Sequence, residues 1–234
     1  MSQKLRTLRY AGIVVVLILG VCWSLWSAEN PPVDNGYPNG KILATVDWLR
    51  QHADDQDVVI VDVRTDEYFD GKLVPGAIRL DWSALRGGDV LDGIASAFVG
   101  VTEAEKVLGR HGINRSDIVV LYDSVARDGG ATASYVFWVL DLLGHPRKRV
   151  LDGGIDQWIE AGEDTAGEPQ TREPVVYQTP LRELRPRSVV TGREVYKHLA
   201  DPYYQIVDVR SRAEYLGEEG TKGLQGNPLK LGHI

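Results

Sequence analysis

The sequence predicts an α/β fold, a parallel sheet with helices on both faces, followed by an incomplete second copy of the same unit. Three observations carry this. Short apolar strands alternate with helical stretches from Thr45 to Ala161, one stretch of text recurs at a constant offset, and the composition is that of a folded globular chain, 43% apolar and 25% charged over 234 residues.

The chain opens on Lys4, Arg6 and Arg9 and then runs uncharged from Tyr10 to Ala28. The apolar centre, Ile13 to Leu19, has the length of a signal-peptide core, and the whole run approaches the roughly 20 residues that span a bilayer. Residues 1–28 are therefore expected to direct export, as a cleaved signal or as an uncleaved anchor with the basic end inside. Cys22 follows Leu19, Gly20 and Val21, which resembles a bacterial lipoprotein box except at Val21. Lipidation and a plain apolar role both stay open. Cys22 is also the chain's single cysteine, which excludes an intramolecular disulfide and a cysteine-based zinc site.

The net charge is −7, and from Glu29 on 23 basic residues face 33 acidic ones, a net −10. An acidic body lacks the clustered Lys and Arg that displace counterions from phosphate, so no nucleic-acid partner is expected. The turn-rich residues 29–40 read as a linker.

The first unit is placed at residues 41–162. Thr45 is set to N-cap a helix through Trp48 and Leu49, ending near His52, and Val58 to Val63 reads as a buried strand. Further strands are expected at Ala77 to Leu80, Ile118 to Tyr122 and Arg149 to Leu151. Between them, a helix ends at VLGRHGI with Gly112 as its C-cap residue, and Ala131 to His145 is a largely apolar helix closing at Gly144. A last helix, about Gly154 to Ala161, puts Ile155, Trp158 and Ile159 at core spacing. Residues 163–188 hold Pro169, Pro174, Pro180 and Pro186 with little periodicity and read as an interdomain linker.

Thr191, His198, Asp201 and Ile206 to Arg210 then stand 146 positions after Thr45, His52, Asp55 and Ile60 to Arg64, and Glu214-Tyr215 answers Glu67-Tyr68. Residues 189–234 are thus the N-terminal part of a second copy: a helix, a strand and a helical turn. So short a stretch cannot bury a core by itself, since units below roughly 40 to 60 residues need staples. The expectation is a fragment of a longer protein, or a tail that is disordered or leans on the first unit.

VIVDVRTDEYFDG (Val59 to Gly71), VPGAI, VVLYDS, the helix ending in LGH, and VLDGGIDQWIEAG resemble the rhodanese sulfurtransferases, in particular the tandem two-domain type. QIVDVRSRAEYLG (Gln205 to Gly217) and the closing GHI resemble the start of that family's second domain. The resemblance implies a persulfide relay. A cysteine at the head of a strand–loop–helix takes a sulfane sulfur from thiosulfate, or the sulfur of 3-mercaptopyruvate, and hands it to cyanide or a thiol. Such chemistry needs a thiolate and an anion cradle, which backbone N–H groups at a helix N-terminus supply.

In the first copy the matching loop is Asp123 to Gly130, and its leading residue is Asp123. A carboxylate forms no persulfide and repels an incoming anion, so the first copy is expected to be silent in sulfur transfer, with Asp123 placed as a charge at a helix N-terminus. An aspartyl phosphoryl acceptor would want a second carboxylate two residues on and a lysine, and neither accompanies it. The nucleophilic cysteine is expected beyond Ile234, so the 234 residues themselves are expected to be inactive. Family resemblance implies that Arg210 helps bind the substrate anion, and the alternative is a pair with Asp208 or Glu214 that fixes the turn. His233 is either structural or an acid–base group; His52, His111, His145 and His198 read as helix-end residues. No metal site and no cofactor is expected.

Two functions stay open: an exported sulfurtransferase whose small sulfur-bearing anion and thiol or cyanide acceptor are its partners, or a non-catalytic module of the same fold that positions a partner at the membrane.

Overall fold

The computed structural model describes residues 39–89 and 94–220. Cys22, the expected signal or anchor segment, most of the 29–40 linker, and His233 lie outside the described residues.

Five parallel strands form the central sheet in the order β1-β7-β6-β2-β3: β1 is Leu43–Ala44, β2 Val58–Asp62, β3 Ile78–Arg79, β6 Ile118–Tyr122 and β7 Lys148–Leu151. The central pair β2 and β6 is buried along its whole length, and alternate residues serve opposite cores. Val59, Val61, Val119 and Leu121 face a cluster built with α2 (Val101–Arg110) and α4 (Ala131–Leu142). Val58, Ile60, Ile118, Val120 and Tyr122 face a second cluster, with α1 (Val46–His52) and α5 (Gly154–Glu160). Apolar residues on both faces of a strand demand cover on both sides, which is the predicted arrangement.

Local signals behave as read. Thr45 caps α1 by accepting from the Trp48 N–H at 3.1 Å. Gly112, at φ +71°, closes the chain after α2. An antiparallel hairpin, β4 (Arg86–Asp89) with β5 (Ile94–Phe98), stands apart from the main sheet and has no counterpart in the sequence reading.

Two expectations need correction. Ile159 is 37% exposed, because a helix as short as α5 turns only Ile155 and Trp158 fully onto the sheet. The segment 163–188, read as an interdomain linker, lies along the first unit and buries Tyr177 and Thr179 against it. In the second copy, α6 (Gly192–Lys197) and α7 (Arg212–Leu216) form with complete capping boxes, but Ile206 to Arg210 makes no strand. The reason is that a strand exists only through its neighbours. In the first copy β2 lies between β3 and β6; among the described residues nothing plays those parts for the second, and Val207 and Val209 are 66% and 90% exposed.

Candidate functional site

Chain leaving the carboxyl end of β6 enters the loop Asp123 to Gly130, at the edge where open α/β sheets bind ligands. Ser124 starts α3 (Val125–Asp128), a single turn, and two successive glycines with positive φ, Gly129 at +72° and Gly130 at +79°, redirect the backbone into α4.

Asp123 is buried, 2% exposed. Its Oδ2 accepts from the Ala133 N–H at 2.8 Å and from the Thr132 hydroxyl at 3.2 Å, both in the first turn of α4. The carboxylate thus fills the place where the positive end of α4 would otherwise meet an external anion. Its own carbonyl accepts from the Ile155 N–H at 2.9 Å, and α5 comes so close there that a Cβ on Gly154 would lie 2.5 Å from the Asp123 oxygen.

The rest of the loop is pinned from two sides. Asp156 of α5 accepts from the Ser124 hydroxyl at 3.0 Å and from the Ala126 N–H at 3.1 Å. Arg127 reaches Asp70 at 3.2 Å, and Asp70 also takes Arg64 Nη1 at 3.1 Å. Burial alone would raise the Asp70 pKa, but the Lys72 N–H and the Arg64 guanidinium hold it below the usual carboxylate range. Arg64 is wholly buried: its Nε and Nη2 fork onto Asp62, Nη2 at 2.7 Å, and Nη2 donates to the Lys72 carbonyl at 2.6 Å. Burial pushes its pKa down, and Asp62, Tyr122 and Asp70 together more than offset that, so the guanidinium is held charged.

Arg210 repeats this clamp. Its backbone N–H, Nε and Nη2 engage Asp208 at 3.1, 2.9 and 2.6 Å, against 3.0, 3.0 and 2.7 Å for Arg64 on Asp62. Asp-x-Arg therefore builds its own turn even where no sheet surrounds it, so the turn-fixing contact is present at Arg210. The two arginines differ in their further surroundings: where the first copy has Asp70 after Tyr68-Phe69, the second has Gly217 after Tyr215-Leu216.

His52 pairs with Asp55 at 2.7 Å and His198 with Asp201 at 3.4 Å, each closing the turn after its helix, and His111 Nδ1 meets the Val107 carbonyl at 2.7 Å. His145 departs from its reading as a plain helix-end residue. It is fully buried between the Tyr177 hydroxyl and the Asp117 carbonyl. The partners Asp62, Asp70, Asp156 and Thr132 were not anticipated; the signal for the first was the Asp-Val-Arg repeated at constant offset, which no single copy reveals as a clamp.

A parallel sheet covered on both faces, with a strand–loop–helix at its carboxyl edge, makes the first unit an α/β domain of the open-sheet class. The rhodanese-like domain family matches residues 45–161. The chain is 30% identical over 205 residues to the sulfur carrier protein TtuD of Thermus thermophilus, covering 85% of this chain and 69% of that protein. It is 32% identical over 179 residues to a putative thiosulfate sulfurtransferase of Saccharopolyspora erythraea, covering 76% and 60%. Among solved structures, SseA of Escherichia coli, described as a 3-mercaptopyruvate sulfotransferase with the rhodanese fold, superposes with a TM-score of 0.62 at 21% identity over 82% of this chain and 78% of that one. The chain belongs to the rhodanese family, whose named members here are sulfurtransferases and a sulfur carrier. It spans 60% to 69% of the length of these two relatives.

Proposed function

We propose that the first copy is the silent, supporting half of an exported two-copy sulfurtransferase. That enzyme moves a sulfane sulfur from thiosulfate or 3-mercaptopyruvate to a thiol or cyanide. The persulfide belongs to a cysteine of the second copy, at the position that answers Asp123 and that the constant offset sets past Ile234. The observation that carries this is the Asp123 carboxylate on the first turn of α4: an internal anion already takes the Ala133 N–H and the Thr132 hydroxyl at the helix end that would face a thiosulfate.

Arg210 is assigned to the substrate anion. Its support is the resemblance carried by Gln205 to Gly217, which implies an anion contact for the arginine after this strand text, and the planar, permanently charged guanidinium that suits an oxyanion. Export rests on the basic start and the uncharged run from Tyr10 to Ala28. Membrane contact, on this reading, is through residues 1–28 alone.

The test compares sulfur transfer from thiosulfate to cyanide by a cysteine-bearing second copy expressed alone and joined to this chain. The supporting role requires faster or longer-lived turnover in the joined protein. Equal rate and lifetime in both would favour the other reading, a non-catalytic module that positions a partner.

A further inference from the structure

The Pro-rich segment 163–188 touches the first unit along its length. Ala166 exchanges both backbone hydrogen bonds with Leu73, at 2.8 and 2.9 Å, and Gln170 N–H donates to the Ala77 carbonyl at 2.8 Å. Val175 N–H donates to the Gly109 carbonyl at 2.9 Å, Thr179 N–H to Glu105 Oε1 at 2.6 Å, and Arg185 N–H to the Leu142 carbonyl at 2.9 Å. Arg115 grips its end through Glu183 Oε2 at 2.6 Å.

The body is shaped to receive it. A Cβ on Gly109 would lie 2.5 Å from the Val175 carbonyl oxygen, one on Gly112 would lie 2.5 Å from Arg172 Cβ, and one on Gly144 would collide with the Glu183 carbonyl oxygen. Gly109 is inside a helix, where alanine is intrinsically preferred, so its presence there answers to the chain packed on top of it.

At the middle, Tyr177 enters the core and meets His145. The rings stack at 5.9 Å and 13°. His145 Nε2 faces the Asp117 carbonyl at 3.0 Å; a carbonyl only accepts, so Nε2 carries the hydrogen and Nδ1 accepts from the Tyr177 hydroxyl at 2.9 Å.

We propose that residues 163–188 are a strap of the first unit that opens and closes as one body, with the Tyr177–His145 hydrogen bond as its latch. The folding unit then ends near Ser188, and the strap delivers the second copy from a fixed point, where Trp138 Nε1 donates to the Ser188 carbonyl at 3.1 Å and Arg185 pairs with Asp141 at 2.7 Å.

Amide hydrogen exchange on the full chain tests it, read at Ala166, Gln170, Val175, Thr179 and Arg185 on the strap and at Val119 to Leu121 on β6. In the native chain the strap amides should be protected by a common factor smaller than that of β6. Tyr177→Phe should cut strap protection by about tenfold at all five and leave β6 unchanged. Glu105→Gln, half-buried and outside the apolar core, should do the same more weakly and guards against a core defect in the first variant. The proposal is overturned if the strap amides exchange unprotected in the native chain, if their protection factors scatter independently, or if both variants lower strap and β6 protection equally or not at all.

Discussion

The Asp123 carboxylate accepts a 2.8 Å hydrogen bond from the Ala133 N–H, ten residues ahead of it. With the Thr132 hydroxyl at 3.2 Å, this makes Asp123 the remote N-cap of α4, whose own N-cap residue, Gly130, has no side chain to offer. Replacing it should leave the first turn of α4 with a buried N–H lacking its acceptor. Asp123→Ala is expected to lower stability by about 1 to 3 kcal/mol in urea unfolding. An unchanged midpoint would show that the carboxylate does not hold the helix end.

The two Asp-x-Arg clamps have the same internal geometry but opposite surroundings. Arg64 is buried, and removing it strands the carboxylate of Asp62 in the core, so Arg64→Ala should cost about 3 to 5 kcal/mol or abolish folding. Arg210 and Asp208 are exposed, and Arg210→Ala should leave the urea midpoint in place. Equal sensitivity of the two sites would mean that the second copy is packed against something the described residues do not include.

Gly109→Ala inverts an ordinary expectation. In an open helix the change stabilises by roughly 1 kcal/mol. Here the new methyl would sit 2.5 Å from the Val175 carbonyl oxygen, backbone that can yield only by lifting the strap. The variant should therefore be less stable than the native chain in thermal or urea unfolding. A gain in stability would show that the strap gives way freely.

Acid should weaken the first unit through His145. Burial, together with the positive charges of Arg115 and Lys148, pushes its imidazole down to about 4. The other groups facing it are the Asp117 carbonyl and the Tyr177 hydroxyl, which burial keeps protonated, while Glu183 and Asp141 pair with Arg115 and Lys148. The folded state prefers the neutral ring, so its contribution is complete above the unfolded pKa of about 6.5 and is lost as pH falls from there towards 4. The whole effect is about 3 kcal/mol, and about 2 of it should be gone by about pH 5. Asp117, whose pKa burial raises, acts in the opposite sense but only across the carboxylate range. Urea midpoints across this interval should fall in the native chain and flatten in His145→Gln; parallel profiles would remove His145 as the cause.

Much of the fold could be read from the chain because its signals are local or repeated. The apolar runs Val58 to Val61 in β2 and Ile118 to Leu121 in β6 announce strands covered on both faces, and Thr45 states the start of α1. What could not be read depends on contacts between distant segments. The strap is held largely through backbone N–H and carbonyl groups and rests on glycines, none of which leaves a periodic trace. Ile206 to Arg210 has the same text as a buried strand and yet forms none, since pairing partners, not propensity, make a strand. At the site, Asp123 was legible from its place at the head of the loop. Asp70 and Asp156, which pin that loop through Arg127, Ser124 and the Ala126 N–H, come from other elements and were not.

The claim on which the account turns is that this chain's own rhodanese domain cannot carry sulfur. Thiocyanate formation from thiosulfate and cyanide by the 234-residue chain bearing Cys22→Ser, which removes its single thiol, tests it most directly. The expected rate is that of the uncatalysed reaction, with or without Asp123. Turnover above that rate that disappears in an additional Asp123→Asn variant would contradict the account.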